Sequence, residues 1–361
     1  MKKLLLLIIV FSFLNIINAQ VPFTKGVNLT EWLQAPSVSK IKFDKFTKKD
    51  FADIKSLGCD VIRLPFNLHG FTKGAPDYVI EPRFLSYLDS AVNWAEELKI
   101  YLILDNHSFD PSTNTQPSIE NILLKVWPQL AERYQNRSDY IMYEVLNEPH
   151  GIDDAIWNAI QQKAIDAIRS KDTKHAIVIG PASWNSYLNL DKMPVYNDPN
   201  LIYTFHFYEP FSFTHQGAGW NTPDMSTLKG VPYPYDALQM PDCPANLKGT
   251  WMEDALKRYP LQGNAEYIKS QLDIAINFMK SRKVKIFCGE FGALMYNSDN
   301  ADRVKIYNDT RTYMEANGIA WTSWDYTGSF GLFRKGSDQK FEKDLNVPLL
   351  KALGFNVPAN Y

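Results

Sequence analysis

Two glutamates, Glu148 and Glu290, each follow a short apolar run and could supply a pair of reactive carboxyl groups. Glu148 lies in an Asn-Glu-Pro tripeptide after residues 140–146, and Glu290 lies in a Gly-Glu-Phe-Gly segment after residues 284–288. A pair of carboxyl groups can hydrolyse a glycosidic bond when one protonates the leaving oxygen and the other attacks the sugar or activates water. This chemistry requires that the two runs be strands of one sheet whose ends lie close together.

Polar or aromatic residues also occur at the ends of most other predicted strands. In a barrel of parallel strands the carboxyl ends of all strands meet on one face, and the active site lies there. The candidate residues are Asn28, Arg63, Asn106, His107, Asn147, His206, Tyr208 and Trp324. Their common placement indicates a shared polar site. The remaining histidines have a weaker placement or none and are interpreted as structural: His69, His150, His175 and His215.

Short apolar runs alternate with amphipathic segments along the chain, and this order is typical of a parallel α/β fold. The eight predicted strands are Phe23–Asn28, Asp60–Pro65, Ile100–Asp105, Tyr140–Leu146, Ala176–Gly180, Leu201–His206, Val284–Cys288 and Ile319–Trp324. The predicted helices are Asp50–Leu57, Phe84–Leu98, Ile119–Tyr134, Ile152–Arg169, Ile268–Met279 and Asp302–Asn317. This alternation predicts a single (β/α)8 TIM barrel rather than a doubly wound sheet. The fifth unit is the weakest, because Asp191–Asn200 leaves room for only a short helix.

A long connection follows the sixth predicted strand, from Phe207 to about Asn264, and it is rich in Pro, Gly, Tyr and Trp. A loop of that length inside a compact domain usually has a function. The sequence contains no recognisable linker, repeat or low-complexity segment. We therefore expect one catalytic domain over residues 20–361, without a separate carbohydrate-binding module.

The first residues have the pattern of a secretion signal. Lys2-Lys3 precedes an apolar run over residues 4–17, and Ala19 offers a cleavage site. The run is shorter than the stretch of about 20 residues that spans a bilayer, and no later segment is uniformly apolar over that length. Residues 1–19 are therefore predicted to be a signal peptide that is cleaved near Ala19. The mature protein is expected to be secreted, soluble and monomeric, with no membrane partner.

Composition narrows the class of partner. The formal net charge is −2 and basic residues form no run, which argues against binding to nucleic acid or to an anionic membrane. Three widely spaced cysteines, Cys59, Cys243 and Cys288, indicate neither a disulfide framework nor a zinc site. Aromatic residues make up 14% of the chain, and a minority of them could stack on sugar rings. These features favour a neutral partner.

Motifs for other chemistries are missing from the sequence. It contains no His-Glu-x-x-His, no pair of histidines at helical spacing and no EF-hand loop, so no catalytic metal is predicted. Neither a Gly-x-Gly-x-x-Gly nor a P-loop occurs, so no nucleotide cofactor is predicted. The absence of Gly-x-Ser-x-Gly disfavours an esterase. Carboxylate chemistry on a neutral substrate, without a cofactor, is the interpretation that remains.

The chain resembles glycoside hydrolase family five, the cellulase family of the retaining (β/α)8 clan, and in particular its endoglucanase-like members. The resemblance extends over nearly the whole predicted mature chain. It rests on Gly26-Val27-Asn28, Arg63-Leu64-Pro65-Phe66-Asn67, Leu146-Asn147-Glu148-Pro149-His150, His206-Phe207-Tyr208, Gly289-Glu290-Phe291-Gly292 and Trp321-Thr322-Ser323-Trp324. The Asn-Glu-Pro and Gly-Glu-Phe-Gly motifs in this order carry most of the signal.

The resemblance implies roles for the residues at the strand ends. Glu148 would be the general acid/base and Glu290 the nucleophile. Arg63 and Tyr208 would favour the ionised form of Glu290, whereas the closeness of Glu290 would raise the pKa of Glu148. Asn147 would donate to the 2-hydroxyl of the sugar in the −1 subsite.

The resemblance also implies which residues surround the sugar. His107 and His206 would line the −1 subsite, and Trp324 would form its floor. Asn106 stands where many relatives have a histidine or another polar residue. Further sugars could stack on aromatic platforms, for which the candidates are Trp220, Trp184 and Trp32.

The sequence therefore predicts a secreted retaining endo-β-1,4-glucanase that acts on cellulose-type or mixed-linkage β-glucans. An endo-β-1,4-mannanase or glucomannanase is the alternative within the same chemistry, because mannose differs from glucose only in its axial 2-hydroxyl. The choice between them depends on the surroundings of Asn147, Asn106 and His107. A catalytically silent carbohydrate-binding barrel is the alternative of another class.

Overall fold

The computed structural model describes residues 20–108 and 112–361. The predicted signal peptide, residues 1–19, lies outside the described residues. Among the helices of the described part of the chain, none is both long and apolar enough to cross a bilayer.

Eight parallel strands form a closed barrel in the order of the sequence, which confirms the predicted TIM barrel. The strands are β1 (Lys25–Asn28), β2 (Val61–Phe66), β3 (Tyr101–Asn106), β4 (Ile141–Glu144), β5 (Ala176–Ile179), β6 (Leu201–Phe207), β7 (Ile286–Phe291) and β8 (Ala320–Ser323). Every predicted strand overlaps one of them. The largest differences are at the carboxyl ends, where β4 stops two residues earlier than predicted and β7 continues three residues further.

The six predicted helices are also confirmed, and the structure adds four more. The helices are α1 (Lys48–Ser56), α2 (Pro82–Leu98), α3 (Ile119–Tyr134), α4 (Asp154–Arg169), α5 (Ala182–Asn185), α6 (Phe211–Thr214), α7 (Trp251–Gln262), α8 (Ala265–Arg282), α9 (Asn300–Ala316) and α10 (Val347–Ala352). Several begin where a short polar side chain caps the free N–H groups of the first turn. Thr47 and Asp50 form a capping box on α1, and the side chain of Asn264 caps α8.

The sequence had suggested that the long connection after β6 is a loop throughout. The structure shows that it contains helices. It contains α6, a 3-10 turn at Ala245–Leu247 and the twelve-residue helix α7. The side chain of Thr250 accepts from the N–H of Met252 and caps α7. The prediction missed α7 because Pro260, which cannot donate a backbone hydrogen bond, lies within it. The fifth connection contains the four-residue α5 and a 3-10 turn at Tyr187–Lys192, as expected for the weakest unit.

An apolar layer fills the amino-terminal half of the barrel interior. It consists of Phe23, Val61, Ile103, Met142, Val178, Ile202, Phe287 and Ala320. Because side chains alternate along a strand, the residues two positions further along also point inward. For the strands β2 to β8 these next residues are Arg63, Asp105, Glu144, Gly180, Thr204, Gly289 and Thr322, whereas Lys25, two residues after Phe23, donates to the carbonyl of Gly354 instead. A polar layer therefore lies on top of the apolar one, towards the carboxyl ends of the strands.

Candidate active site

Arg63 is the centre of the polar layer and is fully buried. Its Nε and Nη2 donate to the two carboxylate oxygens of Glu144 at 2.7 and 2.8 Å. Nη1 donates to Glu290 Oε1 at 2.8 Å and to Asn28 Oδ1 at 2.9 Å. Nη2 also donates to Asn147 Oδ1 at 2.7 Å. A guanidinium carries five donors in a rigid plane, so these contacts fix the relative positions of side chains from three other strands.

Carboxyl groups outnumber cations in this layer. Asp105 Oδ2 is a further contact of Arg63, at 3.1 Å from Nη2. Burial disfavours an ionised carboxyl group, and it raises the pKa of Asp105 to about 7 and the pKa of Glu148 to about 8. Burial also raises the pKa of Glu144 and of Glu290. The layer therefore retains protons at a pH where exposed carboxyl groups have lost them.

An irregularity in β7 brings Glu290 to the same level as His206. Phe205 pairs with Cys288 and His206 pairs with Glu290, so Gly289 is the extra residue of a β-bulge. A Cβ on Gly289 would lie 2.5 Å from Thr204 Oγ1, which explains the glycine. The carboxylate of Glu290 accepts hydrogen bonds from Arg63 at Oε1 and from the Tyr208 hydroxyl at Oε2, the latter at 2.9 Å. Both donors act against burial and favour the ionised form.

Glu148 lies just beyond β4 in an uncommon backbone conformation, with φ of 45°. Left-handed φ is unusual for a residue with a side chain, and such conformations cluster at functional sites. Glu148 Oε1 lies 2.6 Å from His206 Nδ1, and the same nitrogen lies 3.5 Å from Glu290 Oε2. Burial lowers the pKa of His206 to about 4, so this imidazole is neutral near pH 7.

The two glutamates face each other across a short gap. Glu148, His206 and Glu290 each offer one ligand atom within 4.8 Å of the others, a spacing that a metal ion could also bridge. Arg63 supplies a fixed positive charge at Glu290. Such an arrangement can protonate a leaving group and attack an electrophilic carbon from opposite sides.

Asn147 and His107 form the next part of the site. The N–H of Asn147 donates to the carbonyl of Asn106, which brings the chain after β4 beside the end of β3. Asn147 Nδ2 lies 3.3 Å from His107 Nε2, and His107 Nδ1 lies 2.7 Å from Asp105 Oδ2. The His107 ring stacks on Trp324 with 5.5 Å between ring centroids. Trp324 is partly exposed and follows β8 directly, so an indole plane borders the site.

Asn28 and Asn106 belong to the site only as buried supports. Asn28 Nδ2 donates to the carbonyls of Gly289 and Ser323, and its Oδ1 accepts from Arg63. Asn106 Nδ2 donates to the carbonyl of Val145 at 3.2 Å. Both side chains are fully buried, so they hold neighbouring strands and side chains in place.

The three candidate aromatic platforms have different surroundings. Trp220 is 52% exposed and Trp184 is 47% exposed, and Trp184 stacks on His150 at 4.6 Å between ring centroids. Trp32 is only 2% exposed and its Nε1 donates to the carbonyl of Phe43. The interpretation of Trp32 as a sugar platform is therefore wrong, because it belongs to the core between the barrel and α2.

Sequence reasoning missed two site residues, Asp105 and Glu144. Each is a charged residue at an inward-facing position of an otherwise apolar strand, two positions after Ile103 and Met142 of the apolar layer. A strand of a parallel sheet is buried on both faces, so a carboxyl group inside it needs a partner. The period-two pattern could have identified both residues as partners of Arg63.

The fold and the site together define a class of protein. A closed (β/α)8 barrel has two facing carboxyl groups at the carboxyl ends of β4 and β7, beside an indole plane and several hydrogen-bonding side chains. This is the arrangement of a two-carboxylate glycoside hydrolase.

Comparison with known proteins identifies the family. The family model described as Cellulase (glycosyl hydrolase family 5) matches residues 23–329. Endoglucanase C of Acetivibrio thermocellus is 32% identical over 319 residues, which are 85% of this chain and 92% of that protein. Endoglucanase 3 of Fibrobacter succinogenes is 31% identical over 335 residues, which are 86% of this chain but only 50% of that protein. The chain belongs to glycosyl hydrolase family 5 and is a glycoside hydrolase.

Solved structures agree with this assignment. The crystal structure of endoglucanase Cel5A from the hyperthermophilic Thermotoga maritima aligns with a TM-score of 0.76 and 27% sequence identity. The alignment covers 91% of this chain and 96% of that chain.

Proposed function

We propose that the protein is a retaining endo-β-1,4-glucanase that hydrolyses cellulose-type or mixed-linkage β-glucans by double displacement. The observation that carries the proposal is the short gap between Glu148 and Glu290, since one carboxylate oxygen of each lies within 4.8 Å of one of the other. Retaining glycosidases have carboxyl groups about 5–5.5 Å apart, whereas inverting enzymes need about 6.5–9.5 Å to admit a water. The gap supports direct attack by one carboxylate on the anomeric carbon.

In the proposed mechanism the environments of the two glutamates determine their roles. Burial and the neighbouring Glu148 raise the pKa of Glu290, but Glu290 accepts hydrogen bonds from Arg63 and Tyr208, which favour the ionised form, and it acts as the nucleophile. Glu148, whose pKa burial raises to about 8, protonates the leaving oxygen. Glu290 then forms a covalent bond to the anomeric carbon, and Glu148, now ionised, takes a proton from the water that releases the sugar.

The proposed substrate class follows from the residues around the gap and from the relatives. Asn147 would donate to the 2-hydroxyl of the sugar in the −1 subsite, His107 and His206 would line that subsite, and Trp324 would stack on the ring. Trp220 and Trp184 would stack on further sugars. Two of the relatives carry the name endoglucanase, and a solved Thermotoga maritima Cel5A structure is described in complex with cellobiose.

Mannan or glucomannan is a second candidate substrate. One observation favours it: a Thermotoga maritima Cel5A structure, 26% identical to this chain with a TM-score of 0.76, is described in complex with mannotriose. The axial 2-hydroxyl of mannose would have to be accommodated beside Asn147.

Product analysis tests the proposed function. The wild-type protein should release oligosaccharides from carboxymethyl cellulose, lichenan or glucomannan, and NMR should detect β-configured reducing ends first. Glu148→Gln and Glu290→Gln should abolish release while still binding cello-oligosaccharides in calorimetry. Binding without hydrolysis by the wild-type protein would instead identify a silent carbohydrate-binding barrel. First-formed α-configured ends would refute retention.

Export and oligomeric state are proposed on sequence grounds. We propose that the protein is secreted after cleavage near Ala19, which rests on the signal pattern, and that it acts as a monomer, which rests on the family to which it belongs. Mass spectrometry of the amino terminus in a secreting host and light scattering of the purified protein test them. An uncleaved intracellular product or a dimer would contradict them.

A further inference from the structure

The orientation of the Asn147 amide is determined by two neighbours of opposite hydrogen-bonding character. Arg63 has only donors, so the atom of Asn147 that faces Nη2 at 2.7 Å must be the carbonyl oxygen Oδ1. The amide nitrogen Nδ2 then faces His107 Nε2 at 3.3 Å. This contact is a hydrogen bond only when Nε2 carries no hydrogen and accepts.

Asp105 determines which nitrogen of His107 carries the hydrogen. Burial keeps His107 neutral near pH 7, because it lowers the pKa of this imidazole to about 3, so the ring has one N–H. His107 Nδ1 lies 2.7 Å from Asp105 Oδ2, and the positively charged Arg63 Nη2 lies 3.1 Å from the same oxygen. If Asp105 were protonated, the hydrogen would sit on its other oxygen, because the positive charge of Arg63 beside Oδ2 disfavours a hydrogen there. Oδ2 therefore accepts from Nδ1 in either state.

We propose that Asp105 is a positioning residue that acts through His107 to orient the Asn147 amide towards the 2-hydroxyl of the substrate. Asp105 holds the hydrogen of His107 on Nδ1, Nε2 therefore accepts from Asn147, and the second hydrogen of Nδ2 points to the sugar. The stack of His107 on Trp324, at 17° between ring planes, keeps the ring in the plane that both contacts require. The inference rests on the proposed function, because it assigns the 2-hydroxyl as the group that Asn147 contacts.

A comparison of two substrates measures this role. The two substrates are an activated aryl β-cellobioside and its analogue that lacks the 2-hydroxyl on the sugar whose bond is cleaved. The ratio of their kcat/KM values reports the contact with the 2-hydroxyl, which strengthens in the transition state. Asp105→Ala removes the acceptor, so His107 Nε2 can take the hydrogen and oppose the Asn147 amide. The ratio should then fall about tenfold, as expected for the loss of one hydrogen bond in the transition state. Most of the loss should fall in kcat.

Asp105→Asn is the matched variant. It removes the charge but keeps a carbonyl oxygen, which Arg63 should hold in the place of Oδ2. This variant should recover most of the ratio lost in Asp105→Ala. Equal ratios in wild type and Asp105→Ala would overturn the proposal, as would a loss in Asp105→Asn as large as that in Asp105→Ala.

The tautomer can be observed in the wild-type protein alone, independently of how the variants fold. In ¹⁵N-labelled protein at pH 7, the His107 resonances should belong to a ring with hydrogen on Nδ1 and none on Nε2. A hydrogen on Nε2 would overturn the inference. If the wild-type protein hydrolysed neither substrate, the proposed function would be refuted, whereas the ¹⁵N spectrum would still decide the role of Asp105.

Discussion

Replacement of Arg63 by Met should move the acidic limb of the pH–activity profile upward. Glu290 must be ionised to attack, and Arg63 stabilises that ionised form through a 2.8 Å contact to Oε1. Methionine fills a similar volume without the charge, so the pKa of Glu290 rises and a higher pH is needed to ionise it. The Tyr208 hydroxyl would remain as a donor to Oε2 and limit the rise.

The size of the shift follows from the contacts that are lost. A hydrogen bond to a charged group contributes about 1.5–3 kcal/mol. One pKa unit corresponds to about 1.4 kcal/mol, so the acidic limb should move by about one to two pH units. The Arg63→Met substitution would also leave Glu144 and Asp105 without their cation, and breaking a buried pair costs about 3–5 kcal/mol of stability. Proton uptake by Glu144 and Asp105 reduces both the shift of the acidic limb and the loss of stability.

The assay is kcat/KM on an activated aryl β-cellobioside across the pH range, with urea unfolding at pH 7 on the same samples. Arg133→Met is the matched control, because Arg133 pairs with Asp89 on the surface, away from the barrel interior. It should leave both limbs in place. An acidic limb of Arg63→Met that coincides with that of wild type, in protein with an unchanged near-UV circular dichroism spectrum, would refute the assignment of Arg63 as the partner of Glu290.

Four further outcomes are expected. Glu290→Ala should bind cello-oligosaccharides but hydrolyse nothing, and added azide should give no glycosyl azide of retained configuration; substantial turnover would show that the nucleophile lies elsewhere. Glu148→Ala should still react with substrates that have good leaving groups, and azide should accelerate it and give a retained product, whereas an inverted product would exchange the two roles. Glu144→Gln removes a buried negative charge that raises the pKa of Glu148, so the alkaline limb, expected near pH 8 in wild type, should move downward, and an unchanged limb would contradict this coupling. Trp220→Ala should raise KM for long oligosaccharides about fivefold, since stacking on an indole contributes about 1 kcal/mol, while a short aryl substrate should be unaffected; equal effects on both would argue for a general structural role.

The barrel could be predicted from the sequence because each strand is a short apolar run between amphipathic segments. The carboxyl end of β4 was harder to predict, since Val145 and Leu146 continue the apolar run. In the structure the N–H of Val145 donates to Val178 of β5 and the N–H of Asn147 donates to Asn106 of β3, so the chain changes partner between Val145 and Asn147. This change of hydrogen-bond partner depends on the neighbouring strands β3 and β5, so the local sequence does not predict it.

The site could be predicted in part for a similar reason. Glu148, Glu290 and Arg63 stand next to recognisable tripeptides or strand ends, so their types and spacing were sufficient. The β-bulge at Gly289, which aligns Glu290 with His206, depends on the space beside Thr204, and only three-dimensional packing reveals that space. The exposure of Trp32, Trp184 and Trp220 likewise depends on packing, so the sequence did not show that Trp32 is buried.

The excess of buried carboxyl groups explains why, in the proposed mechanism, Glu148 first donates a proton and later accepts one. Within the described part of the chain, Arg63 is the buried cation that contacts Glu144, Asp105 and Glu290, and it cannot balance these and Glu148 together. The layer must therefore hold protons, and in the proposed mechanism one of them is on Glu148, which has no contact with Arg63 among the ion pairs of the described residues. When Glu290 becomes esterified to the sugar, one negative charge leaves the layer. The remaining repulsion on Glu148 falls, its pKa drops, and the group that donated a proton in the first step becomes able to accept one in the second.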